Sequence, residues 1–319
     1  MTKKSGEPKH AIPSYVRKGD RLALVAPASP GAARREEGGI SLLRAAGLSV
    51  GPRPGGPSRP PGLSADDGPR LRDIADAMSD ARYAALLAVR GGYGSMRLLR
   101  GLRGLWGGFP PSKPLIGFSD ISALHLSRLA LSGVGGWHAP NLCTLTRLAP
   151  GGAAEALGIL AGGARAPWPF PKGSVLRKGD ASGPLIGGNL TLFSQLYGTP
   201  HCPKGSGAIL LLEDTAESPY RIDRMLTGLS LRGAFGGCAG VVFGSFLGSG
   251  DRGQARGVLR DFAGSLGVPV VMGAPFGHGR ANLPWFYGEH AFIEGTADGG
   301  ARLCFACANR PKGKAARAK

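Results

Sequence analysis

Three polar side chains close otherwise apolar runs, and their types are those that hydrolytic enzymes combine. Pro114-Leu-Ile-Gly-Phe-Ser119-Asp120 carries a serine where an apolar strand meets a helix. Ala208-Ile-Leu-Leu-Leu-Glu213-Asp214 ends an apolar strand in two carboxylates, and Val270-Val-Met-Gly-Ala-Pro-Phe-Gly-His278-Gly279 sets a histidine between glycines after another. A serine hydroxyl is a weak nucleophile until a base takes its proton, and the base needs a carboxylate to orient it. The chain order Ser, Glu, His is one that serine hydrolases use.

A serine on a sharp strand-to-helix turn stands exposed above the sheet, and the next amide, that of Asp120, aims at an acyl oxygen as the chain enters the helix. The pattern is not G-x-S-x-G, because Asp120 and Ile121 follow the serine. Arg90-Gly-Gly-Tyr-Gly94 also lies between a strand and a helix, and its Gly92 amide offers a second donor to a developing oxyanion. The same glycines read as an anion cradle, although they lack dinucleotide spacing and a P-loop lysine. Each residue has a plainer reading as well: Ser119 as a helix cap, Glu213 and Asp214 as acids ahead of a helix at Tyr220, His278 as a loop residue. Their joint occurrence at strand ends favours chemistry, since the carboxyl ends of parallel strands converge on the crevice where α/β sheets bind ligands.

The elements that must position these groups alternate. Apolar strands are expected at 21–27, 84–89, 114–117, 208–212, 239–243 and 268–272, with helices at 36–46, 71–78, 121–131, 220–229 and 254–266 and one starting near Ser95. Strands at 291–294 and 302–306 close the chain. This is an α/β fold on a largely parallel sheet. Residues 15–150 form a Rossmann-like N-terminal domain carrying the serine, and 183–308 a mixed β/α domain carrying the glutamate and histidine, with the active site in the cleft between. The Gly-, Ala- and Pro-rich stretch 151–182 reads as a linker, and 309–319 as a basic disordered tail.

The chain has 319 residues and a formal charge of +18. Much of the excess sits at its two ends, aromatic residues make up only 7%, and no alternating basic and aromatic stripe appears. A non-catalytic binder of phosphate or nucleic acid is therefore the weaker alternative. The N-terminus has no apolar segment of the kind that directs secretion, which places the protein in the cytoplasm. No apolar run is long enough to span a membrane. Five scattered cysteines do not make a disulfide framework, and Cys304-Phe-Ala-Cys307 lacks the partners that would complete a zinc site. No metal or organic cofactor is expected.

The segments RGGYG, GFSD, LIGGNLTLFSQLYGTP, LLLEDTAESPYRIDRML and GAPFGHG resemble, in order, the signatures of the LD-carboxypeptidase family of serine peptidases, whose relatives include microcin-C immunity peptidases. The resemblance runs from Arg17 to Ile293. It implies Ser119 as nucleophile, His278 as general base, Glu213 rather than Asp214 as the orienting carboxylate, and oxyanion amides from Gly92 and Asp120. It also implies a homodimer and a muropeptide substrate, cleaved between diaminopimelate or lysine and a terminal D-alanine in peptidoglycan recycling. The alternative substrate is an aminoacyl-nucleotide analogue. Two segments depart from the family pattern, Gly136-Trp-His-Ala-Pro-Asn141 and Pro284-Trp-Phe-Tyr-Gly288, and both are expected near the substrate. Tyr93, His138 and Trp168 are candidate substrate contacts; packing is the other reading of Tyr93 and Trp168, and a structural histidine that of His138.

Overall fold

Strands that are apolar along their whole length belong in a parallel sheet covered on both faces, and the helical segments between them supply the crossovers. The computed structural model describes residues 14–52, 66–248 and 252–306. The Pro- and Gly-rich stretch 51–62, whose composition reads as an irregular loop, falls mostly outside these residues, as do Cys307 and the basic tail.

Five strands come from the first half of the chain: β1 Arg21–Val25, β2 Ser49–Val50, β3 Ala85–Ala88, β4 Leu115–Gly117 and β5 Trp137–His138. The second half supplies β6 Trp168–Phe170, β7 Val175–Arg177, β8 Ala181–Asn189, β9 Ile209–Thr215, β10 Gly240–Leu247, β11 Val270–Met272, β12 Trp285–Phe286, β13 His290–Gly295 and β14 Ala301–Phe305. Among the described residues they form two sheets, ordered β12-β5-β4-β3-β1-β2 and β6-β14-β13-β8-β9-β10-β11-β7. The first is parallel from β5 to β2. The second has a parallel centre, β8 to β11, flanked by antiparallel strands. Strands β3, β4 and β11 are buried at every position, as their composition requires. The expected helices appear as Ala33–Ala45, Asp67–Ser79, Ser122–Ser132, Pro219–Leu231 and Arg252–Gly264. The helix expected near Ser95 is a short 3-10 turn, Ser95–Leu98, running into a single α-turn.

The stretch 151–182 is not a linker. It carries a helix, Gly152–Leu160, and then β6 and β7, which form the two edges of the second sheet. Pro169 is tolerated in β6 because an edge strand can leave one amide unpaired.

The two halves are also interlocked. β12 leaves the second half and adds antiparallel to β5, pairing Trp285 with His138 and Phe286 with Trp137. Arg165 lies over the Phe305 ring, 3.7 Å from its centroid, and ion-pairs with Glu289, which is fully buried. Removing one partner of a buried pair strands the other charge in a poor solvent, so Arg165→Ala is expected to cost about 3–5 kcal/mol of folding stability. Urea unfolding measures this directly, and a loss below about 1 kcal/mol would show that the pair is replaceable.

Candidate active site

The parallel strands of both sheets deliver their carboxyl ends to one place. β3 and β4 are neighbours, so the glycine loop after β3 and the turn after β4 lie side by side. Ser119 opens a 3-10 turn, Ser119–Ile121, that leads into the helix Ser122–Ser132. Its φ is +65°, in the left-handed region. A non-glycine residue held there stores about 1–3 kcal/mol of strain, which persists only when its surroundings fix it. They do so here. The Phe118 amide donates to Asn141 Oδ1 at 3.1 Å, and the Ser95 amide donates to the Asp120 carboxylate at 2.8 Å. A Cβ on Gly91 would come within 2.8 Å of the Ser119 Cβ, so the glycine loop approaches the turn as closely as only glycine permits.

Across the cleft, β9 continues one residue past the carboxylate pair. Successive strand side chains point to opposite faces, which separates Glu213 from Asp214. Glu213 is fully buried and its Oε2 lies 2.7 Å from His278 Nδ1. His278 Nε2 lies 3.0 Å from Ser119 Oγ. One hydrogen-bonded chain therefore runs from a carboxylate through an imidazole to a hydroxyl, with the hydroxyl supplied by one half of the protein and the other two groups by its second half.

Asp214 faces the other way and does a different task. Its oxygens accept from Asn189 Nδ2 at 3.0 Å, from the Thr191 amide at 2.9 Å and from the Thr191 hydroxyl at 2.8 Å, fixing the start of the helix Leu190–Leu196. Burial, reinforced by the charge of Glu213, pushes its pKa up to about 6. Behind the serine, the Asn189 amide donates to Ser122 Oγ at 3.1 Å, and Asn189 is in register with Glu213. The Tyr287 hydroxyl donates to the Gly187 carbonyl at 3.1 Å, and its ring stacks on His125. These bonds set the distance between the serine turn and β9.

The histidine is carried not by a strand end but by the loop after β11. The Gly277 amide donates to Asn282 Oδ1 at 3.0 Å, and the Gly279 amide to Ser245 Oγ at 3.2 Å. Gly277 has φ +105°, and a Cβ there would lie 2.6 Å from Glu213 Oε2. Burial alone would lower the His278 pKa. The charge and hydrogen bond of Glu213, together with the charge of Asp214, outweigh it and raise the value above that of an ordinary imidazole, while Arg147 opposes them.

Not every expected contact reaches the cleft. Trp168 is 2% exposed, stacks on Phe276 and meets Phe305 edge-on, so it is a packing anchor and not a surface for a planar ligand. His138 is fully buried, stacked on Trp285 with ring centroids 5.0 Å apart, and burial holds its pKa well below the usual value. It lines the wall behind Phe118, whose ring is tilted against His278. Trp285, Phe286 and Tyr287 are likewise buried, so the second departure from the family pattern is a sheet edge and not a substrate loop. Tyr93 is half exposed beside the glycine loop, its amide donating to Ser29 Oγ at 3.2 Å. Asn141, Ser245 and Asn282 were not singled out by the sequence; only Asn141 lay in a segment flagged as unusual.

Residues 22–139 match the N-terminal domain of the LD-carboxypeptidases, and residues 182–293 match their C-terminal domain. The chain belongs to the LD-carboxypeptidase family. This is a family of serine-type hydrolases, and the first match contains Ser119 while the second contains Glu213 and His278. A relative from Synechocystis sp. is 36% identical over 304 residues, 92% of this chain and 98% of its own. The murein tetrapeptide carboxypeptidase of Pseudomonas aeruginosa is 34% identical, with 86% of this chain and 94% of its own covered. Among LD-carboxypeptidase structures, the muramoyltetrapeptide carboxypeptidase of Oxalobacter formigenes superposes with a TM-score of 0.77 at 27% identity, covering 89% of this chain and 98% of that one. The microcin C7 self-immunity protein MccF shares the fold, with a TM-score of 0.79 at 20% identity over 93% of this chain and 98% of that one. Among the described residues no helix is long and apolar enough to cross a membrane, and no cluster of three His, Cys, Asp or Glu side chains is placed to hold a metal ion.

Proposed function

We propose that this protein is a murein tetrapeptide LD-carboxypeptidase in which Ser119, His278 and Glu213 form the catalytic triad. The observation that carries the reading is the pair of contacts from Ser119 Oγ to His278 Nε2, 3.0 Å, and from His278 Nδ1 to Glu213 Oε2, 2.7 Å. Ser119 Oγ attacks the carbonyl of the last peptide bond while His278 Nε2 takes its proton. The amides of Gly92 and Asp120 receive the oxyanion, and the Asp120 side chain, by holding the Ser95 amide, keeps the two donors in fixed relation. His278 then returns the proton to the departing amine of D-alanine, leaving an acyl-enzyme on Ser119. A water, deprotonated by the same imidazole, releases the tripeptide.

The 34% identity to the P. aeruginosa murein tetrapeptide carboxypeptidase supports the substrate class. The burial of Trp168 supports it against an aminoacyl-nucleotide substrate, because this candidate contact is part of the core and offers no face on which a nucleotide base could stack. The reading places the protein in the cytoplasm as a homodimer; the free thiols of Cys143, Cys202, Cys238 and Cys304 suit a reducing compartment.

Mass spectrometry of an L,D-tetrapeptide ending in D-alanine is expected to show loss of one alanine on incubation with the enzyme. An untouched tetrapeptide with folded protein would overturn the substrate assignment.

A further inference from the structure

A carboxypeptidase must tell the last residue of a peptide from an internal one, and the difference is a carboxylate. The segment from Asn141 to Ala149 bridges the two sides of the site. At one end, Asn141 Oδ1 takes the amide of Phe118, the residue before the serine. At the other, the Ala149 amide donates to the carbonyl of Arg280, two residues after the histidine, at 2.8 Å. Arg147 lies on this bridge, at the end of the turn that starts from Asn141, and is exposed. Among the described residues no carboxylate pairs with it.

Resting on the function proposed above, we propose that Arg147 receives the terminal carboxylate of the peptide and so makes the site an exopeptidase. A guanidinium grips a carboxylate with two parallel N–H bonds, which fixes orientation as well as charge. The charges acting on His278 are Glu213 and Asp214, which favour its protonation, and Arg147, which disfavours it. Arg147 precedes by two residues the Ala149 amide that bonds the Arg280 carbonyl, itself two residues past His278, so a carboxylate docked on the guanidinium would lie on the histidine's side of the site. The shared chemistry is an anion, and a nucleotide phosphate is the other source that could supply one.

The experiment compares wild type, Arg147→Gln and Arg147→Lys on two substrates, the tetrapeptide free acid and the same peptide with a C-terminal amide, with AMP as a competing phosphate. A hydrogen-bonded ion pair of this kind discriminates by about 10²-fold in kcat/KM. The wild type is expected to prefer the acid by that factor. Arg147→Gln is expected to lose the preference through KM, with kcat nearly unchanged and the amide cleaved as before; Arg147→Lys restores part of it. The acid limb of the Arg147→Gln kcat/KM profile moves to higher pH, because the charge that lowered the His278 pKa is gone. An unchanged acid-to-amide ratio in Arg147→Gln overturns the proposal while leaving the peptidase reading intact. So does an unchanged ratio accompanied by lost AMP inhibition, which would assign the arginine to a phosphate. If the wild type cleaves neither peptide, the substrate reading fails and this proposal falls with it.

Discussion

Ser119→Ala is expected to lower kcat by roughly 10⁶-fold while leaving the thermal unfolding midpoint within a degree or two. The size of the first effect follows from the unit in which the residue works. His278 has no second hydroxyl to activate in the contact it makes with Ser119, so the remaining rate comes from bound substrate, oxyanion amides and water alone. The small second effect follows from location. Ser119 is only partly buried at the mouth of the cleft, and alanine at φ +65° carries strain much like that of serine. A folded Ser119→Ala protein retaining more than a thousandth of the wild-type rate would remove Ser119 from the nucleophile's role. An acyl-enzyme adduct trapped on the wild type, and absent from the variant, would be the matching positive result.

Glu213→Gln is expected to reduce kcat by about 10⁴-fold, through the wrong histidine tautomer and the lost stabilisation of imidazolium. The glutamine amide can present a donor where Nδ1–H needs an acceptor. The variant also has a distinctive pH signature. In the wild type the His278 pKa is raised, so the base is lost as pH falls through a value above 6.5. Without the Glu213 charge, burial and Arg147 dominate and the pKa drops, which moves the acid limb of the residual activity to lower pH. Stability carries the same linkage. A histidine whose folded pKa exceeds its unfolded one stabilises fully below the unfolded pKa, and that contribution is lost as pH rises through the folded value. Glu213→Gln is therefore expected to destabilise more at pH 5.5 than at pH 8. Thermal melts at the two pH values check the sign, and equal losses would mean that the pair contributes no pH-linked stability.

The triad was legible because its members interrupt strong patterns. Leu115 to Gly117 and Ile209 to Leu212 are apolar runs, and a polar residue at the end of such a run draws the eye. The distinct tasks of Glu213 and Asp214 were not legible from the residues, because the strand's phase relative to the core is set by its neighbours β8 and β10; only family resemblance separated them. The stretch around Trp168-Pro169-Phe170 read as linker because its proline argues against a strand, and nothing local says that the strand is an edge. β12 is two residues long and has no periodicity to detect. Without it, the burial of His138 and the enclosure of Tyr287 could not be inferred, since both are consequences of Trp285 and Phe286 lying against β5.

That borrowed strand has a consequence for the order of synthesis. On the ribosome, everything needed to display Ser119 has been made once Asn141 has emerged, yet the edge beside β5 stays open until Trp285 and Phe286 appear. By then Glu213 and His278 have already been translated. A nascent chain therefore exposes an unfinished sheet flank for about half of its elongation, a natural place for a chaperone to hold it, and a truncated product ending before Trp285 would keep that flank open for good.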